Sequence, residues 1–176
     1  LVISCGYALV TFQRKPRHPA NPLYWQLIPF FCLFGLGVAG YLAYVETARV
    51  IAVCGPVGDC NTVQQSEYAR LFKVLPIGVL GLAGYFGILV AWLTARFTSG
   101  RVKAQSQLAI FGMALFGTLF SIYLTFLEPF VIGATCAWCL SSAILIALLL
   151  WLSIAPAKVA LELLFGRVQP HRKQKL

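Results

Sequence analysis

The sequence is poor in charge. Only 11% of its 176 residues are Asp, Glu, Lys or Arg, and five of these are acidic. A soluble globular chain is ordinarily about a quarter charged. So little charge cannot cover a water-exposed surface, which excludes an ordinary soluble domain and points to a lipid-embedded bundle. No buried charge is expected inside the long apolar runs described below, which argues against a transporter, since transporters usually carry charge within their spans. The net charge of +9 would suit nucleic acid, but its distribution excludes that partner. The basic residues fall in short clusters between apolar runs, the pattern of membrane topology.

Apolar residues are abundant, at 60% of the chain with a mean hydropathy of +0.82. Four runs, Leu23–Val45, Leu75–Phe97, Leu108–Leu127 and Ala134–Ala155, are near the ~20 residues that ~30 Å of hydrocarbon requires. Without water to satisfy backbone groups, runs of this length must be helical. The expected fold is all-α, a four-helix transmembrane bundle with an outward-facing cap of loop and short helix. A shorter run, Leu1–Phe12, is read as the end of a fifth, truncated N-terminal helix or as an interfacial segment. The first residue is Leu rather than Met, consistent with a fragment or processed form. The expected organisation is a partial apolar segment and basic linker over residues 1–22, the bundle over 23–155 and a basic tail over 156–176.

Lys and Arg set the orientation. Arg14, Lys15, Arg17, Arg96, Arg101, Lys103, Lys158, Arg167, Arg172, Lys173 and Lys175 fall on one side, with Glu162 as the sole acid there. Arg49, Arg70 and Lys73 fall on the other, against Glu46, Asp59, Glu67 and Glu128. By the positive-inside rule the eleven are cytoplasmic. The Glu46–Val74 loop and the Glu128–Gly133 turn then face outward.

Four of the six cysteines lie on that outward side, where disulfides form and persist. Cys5 and Cys32 are read as small apolar packing residues. Gly55, Pro56 and Gly58 let the chain reverse tightly between Cys54 and Cys60, so the two sulfurs can meet. A static staple is the plain alternative, although so small a ring gains little loop-closure entropy. In Thr135-Cys136-Ala-Trp-Cys139, Thr135 is the expected N-cap and both cysteines fall on one face of the first turn. The positive helix end stabilises thiolate and should lower the pKa of the more exposed cysteine. Haem attachment needs His after the second Cys, and Leu140 stands there. A zinc site is disfavoured by the wide 54/60 spacing and by the oxidising compartment. No metal is therefore expected. Two pairs on one side permit a disulfide relay.

Phe116, Phe120, Tyr123, Phe126 and Phe130 precede the second pair, and Trp138 lies inside it. Such aromatics form an interfacial belt, or together wall a pocket for a flat apolar ring. A dithiol at the membrane edge needs an electron acceptor, and the one the bilayer supplies is a quinone. Glycines 35, 37 and 40 in the first run and 78, 81, 84 and 87 in the second let helices pack closely. After Cys60, Ser66 is expected to cap a short interfacial helix through Phe72, with an ordinary loop as the alternative.

Cys54-x5-Cys60 with Asp59, then Val63, Ser66 and Tyr68, then Pro76 and Gly78, and finally Cys136-Ala-Trp-Cys139 together resemble the vitamin K epoxide reductase family, most strongly its bacterial branch. The likeness runs from about Leu23 to Ile154. It implies a four-helix bundle around a quinone with a periplasmic or lumenal cap. By the resemblance, Cys136 and Cys139 are the active-site pair, Cys139 meeting the quinone. Cys54 would receive electrons, Cys60 would attack Cys136, and Ser66 would help organise the site. Phe120, Tyr123 and Trp138 are further quinone-pocket candidates. The implied function is a quinone-dependent thiol:disulfide oxidoreductase that reoxidises a thioredoxin-fold, DsbA-like protein. It would reduce ubiquinone, menaquinone or a related naphthoquinone. The expected setting is a bacterial inner membrane with the site facing the periplasm, or else an endoplasmic reticulum membrane.

Vertebrate members place Asn and Tyr where Ile77 and Ala143 stand here, and neither can hydrogen-bond a quinone oxygen. That favours quinone reduction over a vitamin K epoxide reductase in a lumenal membrane. A non-catalytic scaffold with one stapled loop is the alternative from another class. DsbB carries its CxxC in the first outward loop, the reverse of the order here.

Overall fold

A computed structural model of the protein describes residues 2, 3, 6, 10, 22–54, 58–66, 70, 71 and 75–165. Most of the Leu1–Phe12 run, including Cys5, and the tail beyond residue 165 lie outside the described residues. So do Tyr68 and Phe72.

Among the described residues four long helices carry the fold: α1 (Pro22–Ala48), α3 (Ile77–Phe97), α4 (Gly100–Leu127) and α5 (Ala137–Leu164). Each is long and apolar enough to cross a bilayer, so the protein is an integral membrane protein built as a helical bundle. The helices exceed the apolar runs at their ends. Helix α4 starts at Gly100 and keeps Arg101–Gln107 helical, and α5 continues through Pro156 to Leu164. Hydropathy locates the stretch inside hydrocarbon, whereas a helix once nucleated propagates beyond it. Pro29 and Pro156 sit inside α1 and α5, each removing one backbone donor that a membrane bundle tolerates.

Between α1 and α3 lie a short helix, α2 (Cys60–Gln65), and a two-stranded antiparallel ladder of β1 (Arg70–Leu71) and β2 (Leu75–Pro76). This corrects the expected Ser66–Phe72 helix. Asp59 caps α2 and Ser66 ends it, because the Ser66 hydroxyl donates to the Val63 carbonyl at 2.7 Å within the turn just completed.

Helix α1 packs on α3, α3 on α4, α4 on α5, and α5 back on α1, closing a ring of four. Close approach of α1 and α3 depends on two glycines. A Cβ on Gly78 would strike the backbone of Leu42 and Ala43, and one on Gly35 would strike the Tyr85 ring. Gly37 and Gly84 meet nothing nearby, so the expected close-packing role belongs to part of the glycine set. Tyr85 crosses the bundle centre and donates to the Ser142 carbonyl of α5 at 2.9 Å. Helix α5 is the most enclosed, with 61% of its apolar stretch buried against 17% for α3. The core is Ile28, Cys32, Ile88, Ile110, Leu149 and Leu150 with their neighbours.

Candidate active site

The cap end of the bundle is assembled from hydrogen bonds that the local sequence supplies. Asp59 Oδ1 accepts from the Thr62 amide at 3.1 Å and its Oδ2 from the Thr62 hydroxyl at 2.6 Å, so α2 begins where an N-cap acid satisfies its free donors. These bonds hold the exposed Asp59 carboxyl below its ordinary value, the Thr62 hydroxyl contributing most. Gly58 takes φ +94° with its Cα against Thr135, a conformation that favours glycine. The Asp59 amide consequently reaches the Thr135 carbonyl at 3.0 Å. That bond docks the start of α2 on the start of α5.

The segment before Cys54 is pinned in the same way. The Asn61 side chain accepts from the Ala52 amide at 2.7 Å, the Val53 amide donates to the Tyr41 hydroxyl at 2.8 Å, and Trp138 Nε1 donates to the Val53 carbonyl at 3.0 Å. Tyr41 and Trp138 pack ring on ring with centroids 4.9 Å apart. Ile51 and Val53 remain exposed beside Cys54.

Cys54, Cys60, Cys136 and Cys139 meet here. Cys54 and Cys60 form a disulfide, with Cα atoms 6.0 Å apart. Cys136 and Cys139 are free thiols. Cys60 and Cys136 are wholly buried in one cluster with Val45, Ala52 and Val63, against which Cys54 and Cys139 pack. Cys136 is itself the cap residue of α5, with extended backbone, which corrects the expected Thr135 cap. Thr135 is displaced because its carbonyl is occupied by the Asp59 amide.

Three polar side chains missed by the sequence reading reach this site. Gln64 is buried, and its Nε2 lies 3.8 Å from Cys136 Sγ and 3.7 Å from Cys139 Sγ. Glu128 is buried and its Oε2 accepts from the Cys136 amide at 2.9 Å. Glu46 is buried and its Oε2 accepts from the Gly78 amide at 2.8 Å. Both acids belong by sequence to the loop charges, and Lys158 at the other end of α5 is buried too. All three lie just past the apolar runs, inside which no described charge is buried, because the helices continue beyond those runs and carry these residues in. Glu128 begins a five-residue π-helical turn, Glu128–Ile132, closed by Gly133 at φ +75°, a local irregularity frequent at functional sites. Two signals pointed this way: Gln64 stands four residues after Cys60, on the same helical face, and Glu128 directly ends an apolar run.

The thiol held low is Cys136, the fully buried member, rather than the more exposed one the pattern suggested. Hydrogen bonding from the Cys139 thiol is the main cause and the Gln64 amide adds to it, while burial and the Glu128 charge oppose. Cys136 thus ionises below the ordinary thiol value of 9.0, which favours a reactive sulfur.

Beneath the pair lies a cavity of about 240 Å³, walled by α1, α3, α4 and α5. Cys139 lies on its lining, with Glu46 and Glu128, and so do Ile77 and Ala143. Of the aromatics named from the sequence, Phe116 and Phe120 line it. Ser66 lines a smaller neighbouring cavity with Gln64, Glu128 and Cys139. Tyr123 is exposed on the outer face of α4, and Trp138 is taken up by Tyr41 and Val53; neither is on the lining.

Four spanning helices with a disulfide and a dithiol gathered over one internal cavity define a helical membrane protein with a redox-competent cysteine site. The chain belongs to the vitamin K epoxide reductase family, which it matches over residues 6–154. It is also similar to the thiol-disulfide oxidoreductase LTO1 of Arabidopsis thaliana, 32% identical over 127 residues, covering 68% of this chain and 33% of that protein. The chain thus spans about a third of the length of this relative.

Proposed function

We propose that the protein is a quinone-dependent thiol:disulfide oxidoreductase. The observation that carries this reading is Cys139, which lies on the lining of the apolar cavity while its partner Cys136 is buried beside Cys60. One sulfur faces a site for a flat membrane-soluble oxidant and the other faces the loop pair. The likeness to a thiol-disulfide oxidoreductase of Arabidopsis supports the same class.

In this reading the partner, a thioredoxin-fold (DsbA-like) protein, delivers electrons at Cys54, which reaches solvent. The freed Cys60 thiolate attacks Cys136 within the buried cluster, displacing Cys139 and forming a mixed disulfide. A second exchange closes Cys54–Cys60 again and leaves Cys136 and Cys139 reduced. The reduced pair then passes two electrons to quinone in the cavity and closes to a disulfide. Holding sulfur and ring together supplies the proximity, and the cap holds Cys60 against Cys136. Ile77 and Ala143 offer the cavity no hydrogen bond, which favours quinone over epoxide as substrate. Phe120 provides an apolar wall and Ser66 helps shape the mouth. The redox site faces the exterior, consistent with eleven basic residues on the opposite side, and a bacterial inner membrane fits that arrangement.

The test is to reconstitute the full chain in bilayers, supply a reduced thioredoxin-fold oxidant, and follow quinone absorbance with mass spectrometry of acid-trapped disulfides. A Cys60–Cys136 bond during turnover, together with quinone loss, is the expected result. Exclusive 54–60 and 136–139 pairing in every trapped sample, without quinone loss, would sink the reading.

A further inference from the structure

Reducing a quinone consumes two protons as well as two electrons, and the cavity is walled mostly by apolar side chains. The thiol protons of the buried pair need a route that bulk water does not supply there. Two carboxylates line the cavity with Cys139, namely Glu46 and Glu128, which are 6% and 3% exposed. They differ in what they touch. Glu46 accepts from the Gly78 amide on the α1–α3 seam. Glu128 accepts from the Cys136 amide through Oε2, and Cys139 shares both cavity linings with that carboxylate.

A second, independent observation lies in the adjoining small cavity, which Gln64, Glu46, Glu128 and Cys139 line together. Gln64 Oε1 is buried there and has no hydrogen-bond partner. A buried acceptor left unmatched calls for a donor, and a carboxyl group that has just taken up a proton is one. The groups facing Glu128 are Cys136 and Cys139 from α5, Glu46 from α1 and the neutral Gln64 from α2. From α3 come Ile77 and Gly78, without charge, and from its own helix Ser121 and Thr125.

We propose that Glu128 is the proton-transfer residue of the quinone step, an inference that rests on the oxidoreductase reading above. The Cys139 thiol gives its proton to the Glu128 carboxylate, and the Cys136–Cys139 bond forms as two electrons leave for the quinone. Glu128 then returns that proton to one quinone oxygen and, taking up the Cys136 proton in turn, delivers it to the other. The dithiol has lost two electrons and two protons, the hydroquinone has gained them, and Glu128 ends as it began. Its bond to the Cys136 amide keeps the carboxylate in place between transfers.

Glu128→Gln retains an oxygen for the Cys136 amide but cannot carry a proton, so it separates positioning from transfer. The full chain in lipid nanodiscs is reduced chemically, mixed with a short-chain ubiquinone, and followed in a single turnover across neutral pH. Wild type should follow only the shallow pH dependence that ionisation of Cys136, held down to about 7, imposes. The Gln variant should be slower by about 100-fold, within the usual range for proton transfer by a positioned side chain. Its rate should rise with pH more steeply than that of wild type and recover in part with added formate. Glu128→Asp should keep the wild-type pH profile at a reduced rate, which tests the idea even if the Gln variant assembles poorly. A Gln variant within about threefold of wild type, or one slowed with the wild-type pH slope and no formate rescue, overturns the inference while leaving the oxidoreductase reading intact. Failure of wild type to reduce quinone overturns both.

Discussion

Cys54–Cys60 and Cys136/Cys139 share one buried cluster, yet the two pairs are held by different means. Exposed or half-buried bonds fix the first: Asp59 to Thr62, Asn61 to Ala52, Tyr41 and Trp138 to Val53. The second is fixed by buried groups from remote elements, Glu128 on its amide and Gln64 at its sulfurs. Water on one side makes each loop bond modest and replaceable. Burial on the other makes an unmatched polar group costly. In the proposed relay the loop pair is therefore the one that opens to a partner, whereas the helix-start pair is confined beside the cavity.

The largest expected effect comes from removing the sulfur that lines the cavity. Cys139→Ser should lower quinone reduction by about three orders of magnitude or more, as loss of a reacting nucleophile does, whatever reductant is used. Retention of turnover in a quinone-absorbance assay would break the division of labour between the pairs.

Cys60→Ser comes next and separates them. Turnover driven by a thioredoxin-fold partner should fall about 100-fold, because the intramolecular exchange loses its attacking sulfur. Turnover driven by a small dithiol that reaches Cys136 directly should fall far less. Equal losses with both reductants would mean that the loop pair organises the cap rather than relaying electrons.

Legibility in the sequence follows the same divide. The spans, the orientation and the loop reversal were readable because each depends on local composition: apolar length, clustered Lys and Arg, and Gly, Pro and Asp near Cys60. Glu46, Gln64 and Glu128 were not read as site residues, because their meaning depends on helices meeting in space. Glu128 looks like an outward acid until the π-helical turn points it at the Cys136 amide. Thr135 looks like a cap until Asp59 takes its carbonyl. Ser66 looks like the start of a helix, although it closes one.

A third variant probes the scaffold beneath both pairs. Gly78→Leu forces a side chain into the backbone of Leu42 and Ala43 and crowds the amide held by Glu46. Overpacking of this kind costs about 1–3 kcal/mol, so thermal unfolding in detergent should move to lower temperature. Quinone turnover should fall alongside, since Gly78 lines the cavity. Unchanged unfolding would mean that α1 and α3 have room to separate.

The smallest effect is expected at Asp59, and it tests the claim that the water-facing bonds are individually modest. Its carboxylate accepts from the amide and hydroxyl of Thr62, and these bonds hold its pKa below the ordinary 3.8. A group whose folded value is depressed stabilises the fold above its unfolded pKa and loses that contribution as pH falls through the folded value. The Asp59 contribution is therefore constant through neutral pH and disappears only in acid, below 3.8. Asp59→Ala should speed amide hydrogen exchange at Thr62 about fivefold at neutral pH, the usual scale for a lost N-cap. It should leave exchange along α5 nearly unchanged. Wild type should approach the variant only in strong acid. If exchange at the start of α5 rose equally, the Asp59–Thr135 bond would be carrying the second pair as well as the first, and the separation between water-held and membrane-held cysteines would have to be redrawn at Cys136.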